Sequence, residues 1–75
     1  MIYIKDDSLI KKFGKVVRAK RLEKKLSQQA LANNAEIELS QIYRIEHGKL
    51  NPTLSTMNSI AKALEIPLKD LLDFD

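Results

Sequence analysis

Apolar residues recur at helical spacing along most of the chain. Ile10, Phe13 and Val17 form one stripe, and Arg21 continues it in charged form. Asp7 and Ser8 are N-cap types ahead of it, Leu9 opens it, and Gly14 lowers helicity without ending the run. A first helix is expected over about residues 8–25. Ser27 is placed to cap a short second helix, 28–34, whose apolar face is Leu31 and Ala32. The stretch Asn33-Asn34-Ala35-Glu36-Ile37 reads as a turn with Ile37 directed inward. A third helix, about 38–47, carries Ile42, Ile45 and Glu46 on one face. Ser40, Tyr43, Arg44 and His47 share the opposite face, with Leu39 at its edge. Gly48 stands where a helix C-terminal glycine belongs, and Lys49-Leu50-Asn51-Pro52 is a loop. Thr53 can cap a fourth helix, 54–64, with Leu54, Met57, Ile60, Ala61 and Leu64 toward the core. Pro67 suits the start of a fifth, 68–72.

This pattern predicts an all-α fold, a compact five-helix bundle over residues 8–73, behind an N-terminal segment 1–7. Only Ile2-Tyr3-Ile4 has strand composition, and that segment is expected to be flexible or strand-like.

The second and third helices, with the tight turn between them, have the size of a helix-turn-helix over residues 27–47. Leu31, Ala32, Ile37, Ile42 and Ile45 can meet in one small core. The far face of the third helix is then free to enter a major groove, which is wide enough for one α-helix. An ordinary helical hairpin has the same spacing, so the pattern alone leaves both readings open.

Composition removes other classes. With 75 residues the chain is one domain. It has no cysteine, so neither a disulfide nor a thiolate metal site can staple it. His47 is the only histidine and has no ligand cluster, so no metal and no cofactor are expected. There is no serine–histidine–acid set, and two distant glycines cannot make a phosphate loop. An enzyme is not expected, nor is a small-molecule ligand. Met1 to Ile4 is apolar but stops at Lys5, Asp6 and Asp7, short of a signal-peptide core or a spanning helix. A cytoplasmic protein without membrane contact is expected. The formal charge is only +3, but its distribution is uneven. Residues 1–25 hold nine Lys or Arg against three acids, and residues 26–75 hold four against seven. A basic segment of this kind attracts polyanions if it lines one face, although most charge runs are simply solvated.

From Phe13 to Leu72 the chain resembles the phage-repressor-like (Xre or lambda-repressor type) helix-turn-helix family. The matching pieces are Leu26-Ser27-Gln28-Gln29, Leu31-Ala32, Ile42, Arg44-Ile45-Glu46, Gly48-Lys49, Asn51-Pro52-Thr53-Leu54, Ile60-Ala61-Lys62-Ala63-Leu64 and Leu68-Lys69-Asp70-Leu71-Leu72. No single piece is diagnostic; the ordered series is specific. The resemblance implies a lambda-repressor-like DNA-binding domain that regulates transcription, with the third helix as recognition helix. It implies base contacts from Leu39, Ser40, Gln41, Tyr43 and Arg44. It implies phosphate contacts from Gln28, Lys49 and Asn51, beside which Ser27 and His47 are also expected to contact phosphate, and a structural salt bridge between Arg21 and Glu46. Two residues depart from the family. Glu36 stands where the turn usually has glycine, and Glu38 where the recognition helix usually opens with serine, threonine or aspartate.

The expected partner is double-stranded DNA, bound in its major groove. One recognition helix covers few base pairs, so a homodimer on a palindromic operator is expected, acting as a repressor. Part of the apolar tail Leu68, Leu71, Leu72 and Phe74 would complete the core, and the rest could form the dimer contact. The alternative is an antitoxin or adaptor that uses the same fold mainly to bind a protein. A long amphipathic extension would favour that alternative, and none is read here.

Overall fold

A computed structural model describes residues 4–74. It contains five helices, α1 (Asp7–Glu23), α2 (Gln28–Ala35), α3 (Leu39–Glu46), α4 (Leu54–Ala63) and α5 (Leu68–Leu71), and no strand among the described residues. Ile2 and Tyr3, from the strand-like segment, lie outside that range, and Ile4 is exposed without regular structure. Phe13, Val17, Leu31, Ala32, Ile42, Ile45, Ile60, Ala61, Leu64 and Leu71 form one core cluster, to which every helix contributes. Helix α1 packs on α3, α2 on α3 and α4, and α4 on α5, which also touches α1.

Sequence chemistry accounts for both ends of these helices. The α1 cap is Asp6, not Asp7 or Ser8: its carboxylate accepts from the Leu9 amide at 3.0 Å, so the helix starts at Asp7. Ser27 Oγ and Thr53 Oγ1 accept from the amides of Ala30 and Thr56 in the same way. Four helices end alike, in a left-handed residue that closes two reverse hydrogen bonds. Those residues are Lys25 (φ 58°), Glu36 (φ 57°), Gly48 (φ 68°) and Glu65 (φ 59°). After α1, for example, Lys25 N–H donates to Leu22 O and Leu26 N–H to Arg21 O. The left-handed turn at Lys25 is why α1 stops at Glu23 rather than running to residue 25.

Leu54 is a second correction. It is 65% exposed rather than in the core. It occupies the first position of α4, to the side of the stripe formed by Met57, Ile60 and Leu64.

Gly14 has a role that helix propensity hides. A Cβ there would overlap the carbonyl oxygen of Ile45 and come within 3.1 Å of that of Glu46. The glycine lets α1 lie directly against the backbone of α3, fixing the height of the third helix on the first. Propensity alone favours Gly14→Ala by about 1 kcal/mol. The overlap with backbone reverses the sign, and a loss of about 1–3 kcal/mol is expected in chemical denaturation. A gain in stability would show that the two helices can part at no cost. The left-handed turns give the opposite expectation. Glu65→Gly relieves a strained side chain far from α3 and should raise stability by about 0.5–1 kcal/mol. An unchanged melting temperature would mean that the turn stores no such strain.

Candidate nucleic-acid interface

The central polar feature is buried. Arg21 Nε donates to Glu46 Oε2 at 2.7 Å, and Arg21 Nη2 to Glu46 Oε1 at 3.0 Å. The third nitrogen, Nη1, donates to the carbonyl oxygen of Leu26 at 2.8 Å. Gln28 Nε2 donates to Glu46 Oε1 at 3.1 Å. Arg21 and Glu46 are only 8% and 7% exposed, and no buried side-chain polar atom among the described residues lacks a partner. The Glu46 hydrogen bonds hold the Arg21 guanidinium pKa above its ordinary value against the opposing effect of burial. The cluster ties the end of α1, the start of α2 and the end of α3 together. Nothing in the sequence marks the Gln28 bond, at a position expected only to contact phosphate. One of its two amide hydrogens is committed to Glu46, and the other remains available.

With Ile42, Ile45 and Glu46 turned inward, the other side of α3 faces solvent. Leu39, Ser40, Gln41, Tyr43, Arg44 and His47 are all exposed. Arg44 forms no salt bridge among the described residues, so its guanidinium fork is free. Tyr43 and His47, one helical turn apart, are coupled. Their rings lie 3.9 Å apart at 46°, and His47 Nδ1 is 2.8 Å from the Tyr43 carbonyl oxygen. Residues at i and i+4 are neighbours on a helix, so the spacing was the available signal.

The flanking residues gather at two places. Ser27 is exposed at the head of α2, and the contact of Gln28 with Glu46 sets that head beside the C-terminal half of α3. The first amides of α2 have no intrahelical acceptor, and its positive dipole end suits an anion. Lys49 and Asn51 are exposed in the loop after α3. The Lys49 amide donates to the Arg44 carbonyl at 2.8 Å, which fixes the loop where it leaves the helix. Glu36 and Glu38 are exposed in the turn before α3, and Glu38 makes no side-chain cap bond. No group of three or more metal-ligating side chains occurs among the described residues. No helix among them is long and apolar enough to cross a membrane.

Fold and exposed face together define an all-helical domain of the helix-turn-helix class, with α2 and α3 as the paired helices. The helix-turn-helix family pattern matches residues 17–71. Control protein C.BamHI of Bacillus amyloliquefaciens is 43% identical over 63 residues, covering 83% of this chain and 78% of that protein. The HTH-type transcriptional repressor RghR of Bacillus subtilis is 39% identical over 80% of this chain. The immunity repressor protein of Bacillus phage phi105 is 37% identical over 79% of it. The chain spans less than half the length of these two, 45% and 41%. Among solved structures, the restriction-modification controller protein C.AhdI of Aeromonas hydrophila superposes with a TM-score of 0.82 at 34% identity. That match covers 83% of this chain and 94% of that one. The chain belongs to the helix-turn-helix family of DNA-binding transcription regulators, a family of binding proteins and not of enzymes.

The buried pair yields a test of the scaffold. Glu46→Gln or Arg21→Ala leaves its partner buried and uncompensated, with an expected loss of about 3–5 kcal/mol. Arg21→Lys should not restore stability, because an ammonium cannot reproduce the two-pronged contact or reach Leu26 as well. Urea denaturation followed by circular dichroism measures both. A loss below 1 kcal/mol for Glu46→Gln would show that the pair is not what anchors α3.

Proposed function

We propose that this regulator is a repressor that reads a palindromic DNA operator as a homodimer, inserting α3 of each copy into successive major grooves. The free face of α3, backed by three buried residues and held by the Arg21–Glu46 pair, is the observation that carries this reading. Arg44 is the main specificity residue, through a forked contact to guanine O6 and N7. Ser40 and Gln41 add short-range donors and acceptors, Leu39 meets a thymine methyl, and Tyr43 touches the sugar or base edge. Ser27 and Gln28 at the head of α2 hold one phosphate, aided by the free amides there. His47, Lys49 and Asn51 contact the backbone beyond the end of α3. The site of action is the cytoplasm, where the DNA is.

Pairing is required by reach. Two recognition helices about 34 Å apart span one turn of duplex and match a two-fold symmetric site. Leu71 is fully buried and completes the core, whereas Leu72 is half exposed at the end of α5. Leu72 and the equally exposed Leu9 flank a shallow apolar cleft that Ile10, Phe13, Met57 and Phe74 also line. Leu9 and Leu72 are the exposed side chains of this cleft and are offered for a contact between copies. The names of the relatives, a control protein and two repressors, agree with regulation by repression.

Arg44→Ala should lower affinity by about 1–3 kcal/mol and relax the preference at one base position per half-site without unfolding the domain. Lys49→Ala should weaken all sequences alike and reduce the salt dependence of log K by about one unit. Titrations of each variant across a series of salt concentrations check both. An Arg44→Ala loss that is equal for every sequence would assign Arg44 to phosphate instead. Sedimentation showing only monomer at high concentration, with and without operator, would contradict the homodimer.

A further inference from the structure

The His47 ring is oriented by its own helix. Its Nδ1 lies 2.8 Å from the carbonyl oxygen of Tyr43, which also accepts the His47 amide at 3.0 Å. A carbonyl oxygen only accepts, so this arrangement places a hydrogen on Nδ1. In the neutral ring that is the single N–H, and Nε2 is left with a lone pair. A phosphate oxygen is also purely an acceptor. At the proposed phosphate contact the neutral ring would therefore present a lone pair rather than a donor. Only the imidazolium, protonated on both nitrogens, can keep its bond to Tyr43 and donate from Nε2 as well.

Among the described residues no carboxylate forms a salt bridge with His47. Arg44 and Lys49 flank His47 along the chain, and the tilted Tyr43 phenol ring lies against it. From α1, the side chain of Lys11 lies against Gly48, the next residue. The head of α2, set beside the end of α3 by the bond of Gln28 to Glu46, carries Ser27 and Gln28, which are uncharged. Glu46, the nearest acid in sequence, is turned into the core and fully engaged by Arg21 and Gln28. A bound phosphate adds the missing counter-charge, 

so we infer that DNA binding by this protein is coupled to uptake of a proton by His47, and that affinity rises as pH falls through the range in which histidine titrates. The inference rests on the placement of His47 at a phosphate and adds a regulatory property to that contact. Histidine is the side chain whose charge ordinarily changes between about pH 5 and 8, so modest acidification would tighten binding.

The test uses the full chain and the duplex that it enriches from randomised sequence. Fluorescence anisotropy titrations between about pH 5.5 and 8.5 at fixed ionic strength compare the wild type with His47→Gln, whose amide donates at every pH. Log K of the wild type should fall by up to about one unit per pH unit where the ring titrates, because one proton is taken up. His47→Gln should show a clearly flatter profile. Titration elsewhere in the protein and in the duplex is common to both and cancels in the comparison. Calorimetry in two buffers of different ionisation enthalpy should detect proton uptake by the wild type and markedly less by His47→Gln. Tight binding with the same pH profile in both proteins would overturn the inference and leave the DNA reading standing. Absence of enrichment and of binding at any pH would overturn the DNA reading and the inference with it.

Discussion

The ion pair between Arg21 and Glu46 is the constraint on which the rest of the structure depends. A guanidinium and a carboxylate in the interior are tolerable only when their hydrogen-bonding capacity is met. Here the carboxylate takes two bonds from Arg21 and one from Gln28, and the remaining arm of Arg21 is received by the Leu26 carbonyl. Four separate pieces of chain must be in register for this to happen. The end of α1, its closing turn, the head of α2 and the end of α3 therefore adopt one relative arrangement. A purely apolar contact of the same size would tolerate sliding; a forked ion pair does not.

Backbone contact sets the second limit. Gly14 brings α1 against the carbonyls of Ile45 and Glu46, immediately beside the ion pair. The inner face of α3 is thus held by Ile42 and Ile45 in the core, by Glu46 on Arg21 and by direct backbone packing. Apart from Glu46, the polar residues of α3 are displaced to its outer face. Specific recognition needs side chains presented from a rigid element, and in this protein the rigidity comes from the buried side of α3.

Most of the fold was legible because helical periodicity and capping are local. Ser27, Gly48 and Thr53 announce helix ends through their own chemistry, and Ile42, Ile45 and Glu46 announce the inner face of α3. What stayed hidden depended on tertiary contact. Nothing around Gly14 says that another backbone lies against it, and Gln28 carries no mark of its bond to Glu46, eighteen residues away. Lys25, Glu36 and Glu65 adopt left-handed turns that glycine would signal and they do not. Leu54 fitted the core stripe by residue type but stands at the free start of α4. At the candidate interface, the exposed face of α3 followed from its buried face, whereas the coupling of Tyr43 to His47 needed side-chain coordinates. The two acids of the turn, Glu36 and Glu38, remain exposed beside the recognition face. On the proposed reading they oppose non-specific attraction to phosphate and leave discrimination to contacts made by α3.

The central claim is that α3, held by the Arg21–Glu46 cluster, reads a defined DNA sequence. Its most direct test is selection from randomised duplex DNA at about 0.1 M salt, followed by titration of the enriched sequence against a scrambled duplex of equal length. The account predicts a palindromic site preferred by about a thousandfold or more. A failure to enrich any sequence, or binding that vanishes equally for all sequences as salt rises, would contradict it.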